Sequence, residues 1–206
     1  MTSLSIISFI IVIFSVIIHE ICHGYTALFF GDPTAKYEGR LTLNPLKHID
    51  IFGTIIVPLL LAISGSGFLF GWAKPVPYNP YNLQNRKWGE PLIALAGPLS
   101  NLLLAAVFAI IFRIAVHFFA IPVMVGFYQI MVIIVTTNVF LAIFNLIPLP
   151  PLDGSKVISI FLPSTWAAYI LRADISSIVI VVIAVWFLGD WIGKLAMFVS
   201  AFMLGI

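Results

Sequence analysis

Apolar residues run almost unbroken from Leu4 to Phe30, from Pro91 to Ala120, from Val123 to Ile147 and from Ile175 to about Met203. Each run exceeds the ~20 residues a helix needs to cross the hydrocarbon core, so four spanning helices are predicted. A fifth apolar stretch, Ile51 to Phe70, is interrupted by Gly53, Pro58, Ser64, Gly65 and Gly67. It runs into Gly71-Trp72-Ala73-Lys74-Pro75-Val76-Pro77-Tyr78-Asn79-Pro80, which cannot continue as regular helix. The pattern therefore predicts four to six membrane segments, with the 51–80 region re-entrant or partly spanning. Before it, Lys36 to Leu43 alternates in part between polar and apolar residues. That predicts a short β-hairpin over 36–45, either with an edge open to a partner strand or as an ordinary juxtamembrane hairpin.

Composition narrows the class. Hydrophobic residues make up 62% of the chain and charged residues 9%, with a mean hydropathy of +1.15. A soluble domain carries about 25% charge, so the expected fold is an all-α polytopic membrane protein. It reads as one membrane-embedded domain over 1–206, with a core about 4–154 and C-terminal helices over 155–206. The first apolar run lacks the basic flank and small-residue cleavage pattern of a secretory signal. A net charge of +2 with no lysine- or arginine-rich run argues against a nucleic-acid partner. Cys22 is the single cysteine, so no internal disulfide can form.

The basic residues speak to topology. Lys36, Arg40, Lys47, Lys74, Arg86 and Lys87, six of the ten, lie between the first run and Pro91. A full crossing by Ile51 to Phe70 would split them three and three. A return places all six on one side, joined by Lys156 and Arg172, and the positive-inside rule makes that side cytoplasmic. The expected location is a cell membrane crossed several times.

Within the first run stands His19-Glu20-Ile21-Cys22-His23, an HExxH pattern. Positions four apart on a helix differ by only about 40° around the axis, so His19 and His23 share a face. Each can offer an imidazole nitrogen to one zinc ion, while Glu20, about 100° from His19, can reach the water rather than the metal. A chance pattern is the bland alternative, but isolated polar groups in an apolar helix are costly. Cys22 points off that face and reads as packing. His19 lies roughly 22 Å along the helix, toward the end that meets the basic loop.

The third run ends in Asn145-Leu146-Ile147-Pro148-Leu149-Pro150-Pro151-Leu152-Asp153-Gly154. Its prolines break the helix, and broken backbone at membrane depth persists only where protein or a wet cavity satisfies it. Asp153 is then the natural third zinc ligand, which leaves a fourth position for water; alternatively it caps a helix starting near Ser155. Asn145 could donate to the oxyanion formed at a scissile carbonyl, or cap its own helix. His48 reads as an interfacial structural residue rather than a ligand. Arg113 and His117 are expected at the opposite face.

Three motifs, HEICHG at 19–24, AGPLSN at 96–101 and FNLIPLPPLDG at 144–154, make the chain resemble the site-two protease family of intramembrane zinc metalloproteases. LNPLKHID at 43–50 and GWAKPVPYNP at 71–80 resemble its compact prokaryotic branch, which carries no PDZ or CBS domain. The resemblance implies one zinc per chain held by His19, His23 and Asp153, with Glu20 as catalytic base and Asn145 assisting at the oxyanion. It implies that Gly97, Pro98 and Asn101 belong to a structural motif, and that the partners are a transmembrane segment of a substrate protein and the bilayer. A homo-oligomer is compatible with the sequence, and the 71–80 loop is a candidate gate. The rival classes are a transporter, which would normally carry internal repeats, and an inactive membrane-segment binder.

Overall fold

A computed structural model describes residues 3–63, 71–118, 125–163, 165, 167 and 175–206. Four of its helices are long and apolar enough to cross a bilayer, over Leu4–Phe29, Lys87–Phe118, Val125–Asn145 and Val179–Leu204. The chain is an all-α multi-pass membrane protein. Its long helices are α1 (Ser3–Phe29), α4 (Arg86–Phe118), α5 (Val125–Asn145) and α7 (Ile175–Leu204), with short helices α2 (Thr34–Tyr37), α3 (Val57–Ile63) and α6 (Asp153–Ser159) between them. The last run, interrupted in sequence by Gly189-Asp190, is one continuous helix.

Small residues let α4 and α5 approach closely, the usual basis of helix association where lipid removes the hydrophobic drive between helices. Ala105, Ala109, Phe112 and Ala115 of α4 meet Tyr128, Met131, Val135 and Val139 of α5, and Ala196 and Leu204 of α7 close the cluster. Large residues such as Phe9, Leu103, Ile110, Trp186 and Phe202 point outward, as expected of surfaces that face acyl chains. The guanidinium of Arg113 donates to the carbonyls of Phe202 (2.6 Å) and Met203 (2.7 Å), so the C-terminal ends of α4 and α7 lie together. This is what α4 and α7 crossing in the same direction requires.

Helix α4 begins at Arg86, earlier than the apolar run predicts. Asn85 starts it, accepting the Trp88 N–H on its side chain (3.3 Å) and the Gly89 N–H on its carbonyl (2.7 Å). Pro91 and Pro98 both lie inside this helix, where each removes one backbone hydrogen bond.

The 51–80 region folds back on itself. A π-helical turn over Ile51–Ile56 leads into α3, and Trp72 returns beside it. The Trp72 N–H donates to the Gly53 carbonyl (3.1 Å), and the Thr54 hydroxyl donates to the Trp72 carbonyl (2.9 Å). Gly53 lies so close to the Trp72 indole that a Cβ there would overlap the ring. Both ends of the segment are therefore at one level, although 64–70 lie outside the described residues, as do 119–124 and the Arg172 of the charge count.

The expected β-hairpin over 36–45 does not form, and the described residues contain no strand. Asp32 accepts from the Thr34 N–H and hydroxyl, which starts the helical turn α2. Gly39 then takes a left-handed φ of +62°, which breaks the alternation of a strand. Arg40 turns inward instead, buried, and its guanidinium donates to the carbonyls of Lys74 (2.7 Å) and Pro75 (3.2 Å). His48 is likewise structural: it is buried, bonds the Thr42 carbonyl through Nε2 (2.8 Å), and accepts the Lys74 N–H on its own carbonyl.

Residues 71–79 thus form an extended strap held from below. At its far end the buried Asp32 carboxylate accepts the Asn79 N–H (2.6 Å) and the Asn82 amide (2.8 Å). Burial works against its ionisation, but the hydrogen bonds from Thr34, Asn82 and Asn79 outweigh that and hold its carboxyl below the usual carboxylate range.

Candidate metal centre

The HExxH turn lies in α1, two-thirds of the way along, where that helix packs against α4. His19 and His23 are both buried, and His19, Glu20 and His23 each offer a ligand atom within 4.8 Å of the others. Each imidazole is oriented through Nδ1. That of His19 lies 2.6 Å from the Asn101 Oδ1, and that of His23 lies 2.6 Å from the Ile93 carbonyl, both on α4. A carbonyl only accepts, so His23 carries its proton on Nδ1 and turns Nε2 toward the site.

Gly97 makes the space. A Cβ at this position would lie 2.5 Å from the His19 Nε2 and 2.5 Å from the His23 Nε2 and Cε1. Any side chain on this face of α4 would push both rings aside.

Asp153 arrives from the proline-broken turn. It is the first residue of α6, whose cap residue Leu152 makes no side-chain capping bond. Asp153 is therefore not the helix cap that the sequence allowed as an alternative. Its Oδ2 lies 3.0 Å from the His19 Nε2 and 3.2 Å from the His23 Nε2. Gly154 permits this approach, because a Cβ there would collide with the Leu146 and Ile147 backbone. The Ser155 hydroxyl donates to the Leu152 carbonyl (2.7 Å) and tightens the turn.

These distances fit a metal. Two ligand atoms each about 2.05 Å from a common ion at a tetrahedral angle lie about 3.3 Å apart. With the ring protons on Nδ1, three acceptor atoms converge and no donor stands between them. Only a cation, a metal ion or added protons, satisfies such a set, and two imidazoles with one carboxylate are a normal zinc donor set. Cys22, half-buried, is absent from it.

Glu20 faces the strap. Its Oε2 accepts the Val76 N–H at 2.8 Å, and Val76 itself packs against Gly24, one turn along α1. Tyr78 carries the strap across to α6, with the Lys156 ammonium 5.3 Å above its ring. Burial pushes the Tyr78 hydroxyl above its ordinary pKa, and the nearby Lys156 charge only partly offsets this.

Asn145 ends α5, its amide donating to the Leu141 carbonyl at 2.9 Å. The structure does not bond it to His19, His23 or Asp153. An amide has two N–H groups, so one remains for another acceptor.

Comparison with known proteins identifies the family. The sequence profile described as peptidase family M50 matches residues 113–189, which contain Asn145 and Asp153. A Bacillus subtilis protein named "Putative zinc metalloprotease YwhC" is 38% identical over 177 residues, covering 83% of this chain and 77% of that protein. The chain belongs to peptidase family M50, the site-2 zinc metalloproteases. A second member, "Putative zinc metalloprotease MJ0611" of Methanocaldococcus jannaschii, is 35% identical over 79% of this chain and 76% of its own length. "Putative zinc metalloprotease Rip2" of Mycolicibacterium smegmatis is 33% identical over 68% of this chain and 51% of its own. No solved structure matches. As an M50 peptidase the chain is a zinc-dependent metallopeptidase of the membrane.

Sequence reasoning missed the supports of the site: the Ile93 carbonyl, the Val76 N–H, and the pair Ser15 and Asn138. Asn138 did carry a signal, as an amide within a largely apolar spanning helix.

Proposed function

We propose that this peptidase cuts peptide bonds in or near the transmembrane segments of membrane-anchored proteins, using His19, His23 and Asp153 as zinc ligands and Glu20 as general base. One observation carries the reading: three acceptor atoms from two elements, α1 and α6, meet among spanning helices, with the Glu20 carboxylate on the adjoining residue. Zinc held there would supply a Lewis acid that acidifies a water and polarises a carbonyl. Glu20 accepts the proton as the water oxygen attacks the carbonyl carbon, and returns it to the amide nitrogen as the C–N bond breaks. The Val76 N–H fixes one oxygen of Glu20 and leaves the other for this transfer. The Asn145 amide supplies a hydrogen bond to the developing oxyanion, a contribution typically worth about 10²–10³ in rate.

A substrate helix has its carbonyls engaged by its own N–H groups, so it must unwind locally before water can attack. The basic residues Lys36, Arg40, Lys47, Lys74, Arg86 and Lys87 support a cytoplasmic location for the loops next to the site. Release of a substrate fragment, as in regulated intramembrane proteolysis, follows from that location.

The test is a paired assay. Purified protein in detergent should hold about one zinc and cleave a single-span substrate. Glu20→Gln should keep the zinc, because Gln can still accept the Val76 N–H, and should lose cleavage by ~100-fold or more. Full activity in that variant would refute the assignment of the base.

A further inference from the structure

Behind His19, on the side away from the proposed ligands, lies a chain of buried amides. Asn101 of α4 and Asn138 of α5 are fully or almost fully buried, and Ser15 stands one turn before His19 on α1. The Asn138 Nδ2 donates to the Ile134 carbonyl (2.9 Å) and to the Ser15 hydroxyl (3.0 Å). The Asn101 Nδ2 donates to the Asn138 Oδ1 (2.9 Å) and to the Ser15 carbonyl (3.3 Å).

The two backbone carbonyls decide the direction of every bond. A carbonyl can only accept, so the Ile134 carbonyl requires an Asn138 N–H, and the Asn138 Oδ1 must then face Asn101. The Ser15 carbonyl in the same way requires an Asn101 N–H. The Asn101 Oδ1 is left facing the His19 Nδ1 at 2.6 Å, and it too can only accept. His19 must therefore carry its proton on Nδ1 and present its lone pair on Nε2, toward Asp153.

We propose that Asn101 and Asn138 are positioning residues of the zinc site, a three-helix amide relay that fixes the tautomer and ring orientation of His19. The inference rests on the reading that His19 is a zinc ligand. Partners of this kind behind a ligating histidine are usually worth about 10–100-fold in metal affinity. The relay also explains why two fully polar side chains persist in a membrane core, where an unpaired amide is costly.

The test compares zinc affinity, by chelator competition, in Asn101→Leu, Asn101→Asp, Asn138→Leu and His19→Ala, with helical circular dichroism and elution volume as controls for folding. Asn101→Leu should bind zinc ~10–100-fold more weakly. Asn101→Asp keeps an acceptor for the Nδ1 proton but loses both N–H donors to the Asn138 Oδ1 and the Ser15 carbonyl, so it should recover only part of that loss, and should move the d–d bands of the cobalt-substituted protein. Asn138→Leu should fall between wild type and Asn101→Leu. Equal zinc loss in Asn101→Asp and Asn101→Leu, with d–d bands in Asn101→Asp unchanged from wild type, would overturn the proposal, since it would mean that only packing matters. Should Asn101→Leu not fold, ¹⁵N spectra of the zinc-loaded wild-type protein decide: the His19 proton belongs on Nδ1 and the metal on Nε2, and the reverse overturns it. If His19→Ala itself keeps zinc, the ligand reading fails; if His19→Ala loses zinc and Asn101→Leu does not, the relay alone fails.

Discussion

At the scale of single residues the site depends on absences as much as on ligands. Gly97 is the sharpest case, since the extra carbon of Gly97→Ala would press on both imidazoles. That variant should lose zinc affinity by ~10-fold or more while keeping its helical content, as measured by metal analysis beside circular dichroism. Alanine is otherwise the better helix former, so unchanged zinc binding would show that the rings have room to spare. The HExxH face was legible because helix geometry alone brings His19 and His23 together. Their Nδ1 partners were not, because Asn101 stands 82 residues from His19 and Ile93 stands 70 from His23. Only packing of α4 against α1 makes those pairs.

Among the elements, the strap over 71–79 has the most to test. Asp32 accepts four hydrogen bonds that bind its far end to the turn after α1. Asp32→Ala strands those donors and should destabilise the fold by about 2–4 kcal/mol in a denaturant titration in detergent. Because the folded carboxyl sits below its ordinary value of 3.8, its contribution is present above that pH and is lost as pH falls through the folded value. The stability difference between wild type and Asp32→Ala should therefore shrink as pH is lowered below about 4; a difference that stays constant would contradict the assignment. Proline and glycine content foretold that 71–80 is not regular helix, and the broken run at 51–70, taken with the charge count, pointed to a segment that turns back. The failure over 36–45 has a plain cause. Alternating polarity there serves a buried Arg40 reaching the Lys74 and Pro75 carbonyls, a contact between loops that no local periodicity encodes.

For the molecule as a whole, the four long runs set the architecture, and the pairing of Gly53 with Trp72 agrees with a charge count that keeps the basic loops together. Lys47→Cys and Lys74→Cys, both at exposed positions and made in a Cys22→Ala background, should react with an impermeant thiol reagent from the same side of sealed vesicles. Labelling from opposite sides would refute the return of the 51–80 region. The central claim is that His19 and His23, with Asp153 brought in from far along the chain, hold one zinc inside this bundle. X-ray absorption at the zinc edge of the purified protein tests it most directly. The account predicts one zinc per chain with two imidazole nitrogens, oxygen in the remaining positions and no sulfur, and loss of zinc occupancy in Asp153→Ala; a sulfur ligand from Cys22, or an unchanged spectrum and occupancy in Asp153→Ala, would contradict it.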